Sequence, residues 1–203
     1  MMDVDELLKR LREFDLLLDT DSKFPNLTAL LAGNEAVRSS SWTNAQAGEM
    51  FRTAKALRAH PDVLTIRLVS GKITFIDRAL WMAVLTIGTA REPWQMRGLS
   101  KEASMLLERA DQEGQFIASG DAVRELEARL LVHSQSVHTE RGLHRKRVQT
   151  WNTWAHSVQL AAEALTVGEA KAQLESSVAR LNTRFGARGT LPWQSKASQS
   201  KLR

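Results

Sequence analysis

Leu7, Leu8, Leu11, Phe14 and Leu18 recur every three or four residues, which predicts an amphipathic helix over residues 3–18. Asp3, Asp5 and Glu6 fall in its first turn, where the helix dipole favours acids. Phe24-Pro25-Asn26 interrupts the pattern, after which Leu27 to Ala32 reads as a short helix stopped by Gly33 and Ser39 to Ser41 as a loop. Ala47, Met50, Phe51, Ala54 and Leu57 mark the apolar face of a helix over 44–59. His60-Pro61 ends it, because proline lacks an amide donor. The period then shortens to two. Val63 to Val69 alternates, Ser70-Gly71 turns, and Ile73, Phe75 and Ile76 continue, which predicts a β-hairpin.

Ala79 to Ile87 is apolar nearly all round and reads as a buried helix ended by Gly88. Ser100 caps the next helix, whose inner stripe is Ala103, Leu106, Leu107 and Ala110 and which Gly114 closes. Gln115 to Ala118 reads as a short strand, Asp121 to Leu131 as a helix and Leu131 to Val137 as another strand. Val148, Trp151, Trp154, Val158 and Leu160 return to helical spacing over 144–165. Thr166 to Glu169 has the form of a capping box and opens a last helix, carrying Leu174, Val178 and Leu181, that ends at Gly186. The expected fold is mostly α with short β-hairpins and is winged-helix-like. It comprises an N-terminal helical region (1–59), a winged-helix-like region with C-terminal helices (60–193) and a disordered polar tail (194–203). The order helix, turn, helix, glycine, strand over Ala79 to Ser119 carries the winged-helix expectation, with the second helix entering the major groove. On that reading Arg97, Ser100, Lys101 and Arg109 face DNA.

The 203 residues are 43% apolar, ordinary for a packed core. The longest apolar run is about half of what a membrane span needs. The acidic N-terminus lacks the form of a secretory signal, so a cytoplasmic protein without a membrane partner is expected. With no cysteine, disulfides, thiolate metal sites and cysteine nucleophiles are excluded. Charge is unevenly spread: residues 1–23 hold seven acids against four cations, whereas from Arg141 onward eleven cations face three acids. Such asymmetry favours a polyanionic partner. Within it, Arg141, His144, Arg145, Lys146 and Arg147 crowd the expected start of the 144–165 helix, where the dipole disfavours cations unless a phosphate is near.

His133, His138 and His144 lie within a dozen residues, and with Glu140 they read as a zinc or iron site; the alternative is that His138 and Thr139 hydrogen-bond to the backbone of a turn bent at Gly142. Strand spacing places His133 and His138 on opposite faces, which argues against a shared metal. Trp151 and Trp154 share a helical face and read as packing. Phosphate-binding glycine loops, nucleophile elbows and metalloprotease helices are absent from the sequence, so no cofactor is expected.

Leu80-Trp81, Trp94-Gln95, Leu99-Ser100 through Leu107, Val137 to His144, Trp151, Trp154 and Leu191-Pro192-Trp193 together resemble bacterial winged-helix proteins akin to the crosslink-unhooking DNA glycosylases. The resemblance implies a winged-helix fold and DNA binding. The Gln-apolar-Gln or Gln-apolar-Asp catalytic triplet of those glycosylases does not occur here, so no catalytic residue is assigned. The expected function is backbone-directed binding of duplex DNA through Arg97, Ser100, Lys101, Arg109, Arg141, His144, Arg145, Lys146 and Arg147. The alternatives are a repair enzyme related to those glycosylases, with His138 and Glu140 as its candidates, and a helical interaction module whose first helix packs on a partner or on a second copy in a homodimer.

Overall fold

A computed structural model of the chain describes residues 2–33, 44–138, 144–160 and 165–194. The loop expected at Ser39 to Ser41 and the tail beyond Gln194 lie outside the described residues. The chain is mostly helical, with two antiparallel sheets of three strands each. It divides into two compact units, Met1–Trp81 with Ala172–Leu191, and Met82–Lys171 with Pro192–Arg203.

In the first unit, Asp3 caps helix α1 (Val4–Phe14) by accepting the Glu6 amide at 2.9 Å, and Leu7, Leu8, Leu11 and Phe14 are buried. The helix is shorter than expected. Asp15 takes a left-handed φ of 66° and its carbonyl accepts the Asp77 amide at 2.9 Å. Leu16–Leu18 then forms strand β1, all three side chains buried, so Leu18 kept the helical spacing while serving a sheet. Helix α2 (Leu27–Ala32) is capped by Asn26 and closed by Gly33, and helix α3 spans Asn44–Arg58. On α3, Leu57 is buried as expected but Phe51 is 67% exposed. Strands β2 (Val63–Arg67) and β3 (Ile73–Asp77) form the predicted hairpin, turning through Ser70 and Gly71, both at positive φ. β1 pairs with the other edge of β3, giving the order β1-β3-β2. The hairpin thus belongs to the first unit, whereas the sequence assigned it to a region beginning at residue 60. Ala172 onward of helix α9 (Val167–Phe185) completes this unit: Arg180 pairs with Asp15 at 2.7 Å, Arg184 pairs with Glu13 at 2.8 Å, and Phe185 packs edge-on against Phe14.

The second unit begins within helix α4 (Trp81–Ala90), followed by α5 (Pro93–Met96), α6 (Lys101–Glu113), β4 (Gln115–Ala118), α7 (Asp121–Ala128), β5 (His133–His138), β6 (His144–Gln149) and α8 (Trp151–Ser157). Gly88 does not end α4. It lies inside the helix, where the Trp151 indole packs so closely that a Cβ would sit 2.4 Å from Nε1. The capping assigned to Ser100 is present, its hydroxyl accepting the Ala103 amide, whereas the N-cap of α7 is Gly120 rather than Asp121. Ala103, Leu107, Ala110, Phe116, Val123, Leu126, Leu131, Val132 and Val148 form one buried cluster. Arg129 fixes the α5 end from within this unit, donating to the carbonyls of Gln95, Arg97 and Gly98 at 3.1, 2.8 and 3.1 Å and to Glu125 at 3.2 Å.

Candidate nucleic-acid interface

The run from His144 to Gln149 was expected to open a helix, but it is the central strand of the second sheet, ordered β4-β6-β5. Its burial alternates: Arg145 and Arg147 are exposed, while Lys146 is half-buried and Val148 is fully buried against Phe116 and Leu107 in the cluster below. One inward apolar residue suffices for a short half-buried strand. The real helix, α8, starts at Trp151 behind a Thr150 cap that accepts the Thr153 amide. The dipole argument for phosphate therefore lapses, because these cations do not stand at a helix N-terminus. Arg141 lies outside the described residues, as does the side chain of His144.

Strand geometry sorts the remaining cations. Lys146 projects to the core side and ion-pairs with Glu127, which also accepts the Ser134 hydroxyl. Arg145 and Arg147 project to the outer face. There Val137 stands opposite Arg145, and Gln135 and Ile117 flank Arg147 on its two neighbouring strands. Ile117 is 42% exposed, an apolar position beside a cation that periodicity alone did not single out. Among the described residues, neither arginine has an ion pair or a side-chain hydrogen bond.

The same face is closed at one end by His133 and Gln149, both buried. Gln149 Nε2 donates to His133 Nδ1 at 3.0 Å, and the imidazole lies 5.8 Å from the Trp151 ring and 5.6 Å from that of Trp154. Trp151 Nε1 donates to the Leu130 carbonyl at 2.7 Å. Burial pushes His133 down to about 4, so it is neutral and serves packing. The side chains of His138 and His144, together with Glu140, lie outside what is described. Among the described residues, no group of three or more His, Asp or Glu side chains is placed to hold a metal ion.

The helical candidates form a separate group. Arg97 is exposed at the end of α5, its carbonyl bound by Arg129. The Ser100 hydroxyl is occupied in capping, and its amide donates to Glu125 at 3.2 Å. Lys101 is exposed in the first turn of α6 and has no ion pair among the described residues. Arg109 is committed to Glu113 through two nitrogens, at 2.7 and 3.2 Å, and lies over the Phe116 ring. On helix α6 Asp111 is paired with Arg91 and Glu113 with Arg109, which leaves Glu102 and Glu108 against Lys101, a slightly negative surface that disfavours phosphate.

No helix among the described residues is long and apolar enough to cross a membrane. No protein-family description, curated protein or solved structure matches the chain.

Proposed function

We propose that the second unit is a winged-helix-like module that binds duplex DNA through its β5–β6 hairpin, with the helices serving as scaffold. The observation that carries this reading is the outer sheet face, where Arg145 and Arg147 stand exposed and uncommitted on the central strand. Sheet faces as well as helices dock on duplex DNA, and exposed arginines supply phosphate contacts. The acidity of α6 argues against the helix-led docking expected from the sequence and for ribbon-led docking instead. A Gln135 side chain beside Arg147 offers hydrogen bonding to base edges, a minor part of a mainly backbone-directed interaction.

Fluorescence anisotropy of the full chain with a labelled duplex across a salt series tests this. Log affinity falls by about 0.9 per phosphate contact for each decade of salt. Replacing Arg145 and Arg147 together with Gln should flatten that slope by about two units. Binding whose affinity and salt slope ignore the double substitution would exclude the hairpin, and the proposal with it.

A further inference from the structure

A cleft of about 400 Å³ opens in the first unit, with Leu18 and Phe24 at its floor. Its walls come from three segments distant in sequence: the stretch after β1, the Ser70–Lys72 turn, and the stretch behind α9. Bonds that need no ligand hold each wall. Asp21 Oδ1 accepts the amides of Lys23 and Phe24, both at 2.8 Å, and Oδ2 meets Lys72 Nζ at 2.6 Å. Ser70 donates its amide to the Thr190 carbonyl at 2.7 Å. Its hydroxyl oxygen accepts the Thr190 amide at 3.2 Å, which leaves the hydroxyl hydrogen free to donate. Gly189 is required by close approach, since a Cβ there would lie 2.8 Å from Val69 and 2.9 Å from Phe24. The walls are tied to one another, yet the space between them stays open.

Charge selects the occupant. Lys23, Lys72 and Arg188 line the cleft against a single acid, Asp21. Burial opposes ionisation of Asp21, but the Lys72 bond and the two amides outweigh it and hold the carboxyl below its usual range. Asp21 and Lys72 therefore neutralise each other. Lys23 and Arg188 are exposed and make no ion pair among the described residues, so two full positive charges remain. The end of α9 at Gly186 contributes about half a negative charge of carbonyl dipole, too little to cancel them. The volume lies in the range of small-molecule sites.

We propose that this cleft binds a small phosphomonoester, its phosphate held by Lys23, Arg188 and the Ser70 hydroxyl and its organic body filling the rest of the cleft. The proposal is independent of DNA binding by the second unit. The test is titration of the full chain with phenyl phosphate, with benzyl alcohol as the uncharged counterpart, followed by amide chemical shifts at Ser70, Lys72 and Gly189. Saturable shifts with phenyl phosphate alone are expected. The Lys23→Gln/Arg188→Gln double variant should bind about a hundredfold more weakly, roughly tenfold for each charged hydrogen bond lost. Its melting temperature should be unchanged, because both side chains are exposed. The absence of saturation up to about 10 mM, a Kd range that even a few weak contacts would reach, overturns the proposal. So does equal binding of benzyl alcohol, or undiminished affinity in the double variant.

Discussion

Replacing Gly88 with Ala in α4 sets two effects of opposite sign against each other. In an open helix the change would stabilise by up to about 1 kcal/mol through propensity. Here the new methyl would sit 2.4 Å from Trp151 Nε1, 2.5 Å from Cδ1 and 2.7 Å from Cε2, so the indole must retreat by about 1 Å to reach ordinary contact at 3.4 Å. Trp151 is 2% exposed and has nowhere solvated to go. Overpacking of this kind costs about 1–3 kcal/mol. Retreat also stretches the 2.7 Å bond to the Leu130 carbonyl, and a buried donor left unpaired costs about 1–3 kcal/mol more. The losses exceed the propensity gain, leaving about 1–5 kcal/mol of destabilisation, measurable as a lower urea midpoint. Gly48→Ala in α3 is the control: its nearest neighbour would be Arg52 Nη1 at 3.8 Å, so propensity alone acts and the midpoint should rise. Trp151→Leu should shrink the Gly88→Ala penalty, because the two positions share the contact. A Gly88→Ala protein as stable as its parent would refute the close approach.

Burial holds His133 near 4 against an ordinary 6.5, so between these values the unfolded chain binds a proton that the folded one refuses. The associated stability is present above about pH 6.5 and lost as pH falls toward 4, by about 3 kcal/mol in all. Urea midpoints across that window should show the loss, and His133→Gln should flatten it. Lys146→Met strands the Glu127 carboxylate, which is 8% exposed, and should cost about 2 kcal/mol of stability. The same substitution should leave the DNA salt slope within about half a unit of the parent's, since Lys146 contacts Glu127 and no phosphate; a slope flattened by a full unit would put Lys146 on the DNA after all.

Long periodic segments with clear punctuation were legible: α1, α3, the β2–β3 hairpin, α6 with its Ser100 cap, and α9 with its Thr166–Glu169 capping box all follow from spacing and caps. Failures came where tertiary contact overrode local pattern. Leu18 fits the α1 stripe, but Leu16 to Leu18 are recruited by β3, a pairing across some sixty residues that no window contains. Gly88 looked like a helix stop because the distant Trp151 that needs the missing Cβ was invisible. Val148 and Trp151 kept a spacing of three across a strand, a cap and a helix start, so β6 and α8 merged into one apparent helix. The basic cluster therefore lies on a strand and not at a helix start. On that strand its cations alternate between core and solvent, whereas a helix start would have turned them toward one anion.

The charge asymmetry of the chain is also partly internal. Among the described cations after Arg141, Arg180 and Arg184 meet Asp15 and Glu13, so the acidic N-terminus and the basic last helix complement each other within the first unit. In the second unit Lys171 meets Glu92 at 2.6 Å and Lys146 meets Glu127. Each pair lowers the charge available to a partner without changing the net count. Arg145, Arg147 and Arg188 are left without an ion pair among the described residues, and they fall on two surfaces in two different units. A count of basic residues would assign all of them to one polyanion. Their placement separates a pair on an open sheet face, which suits an extended phosphate backbone, from a single arginine that joins Lys23 at a cleft sized for a small ligand.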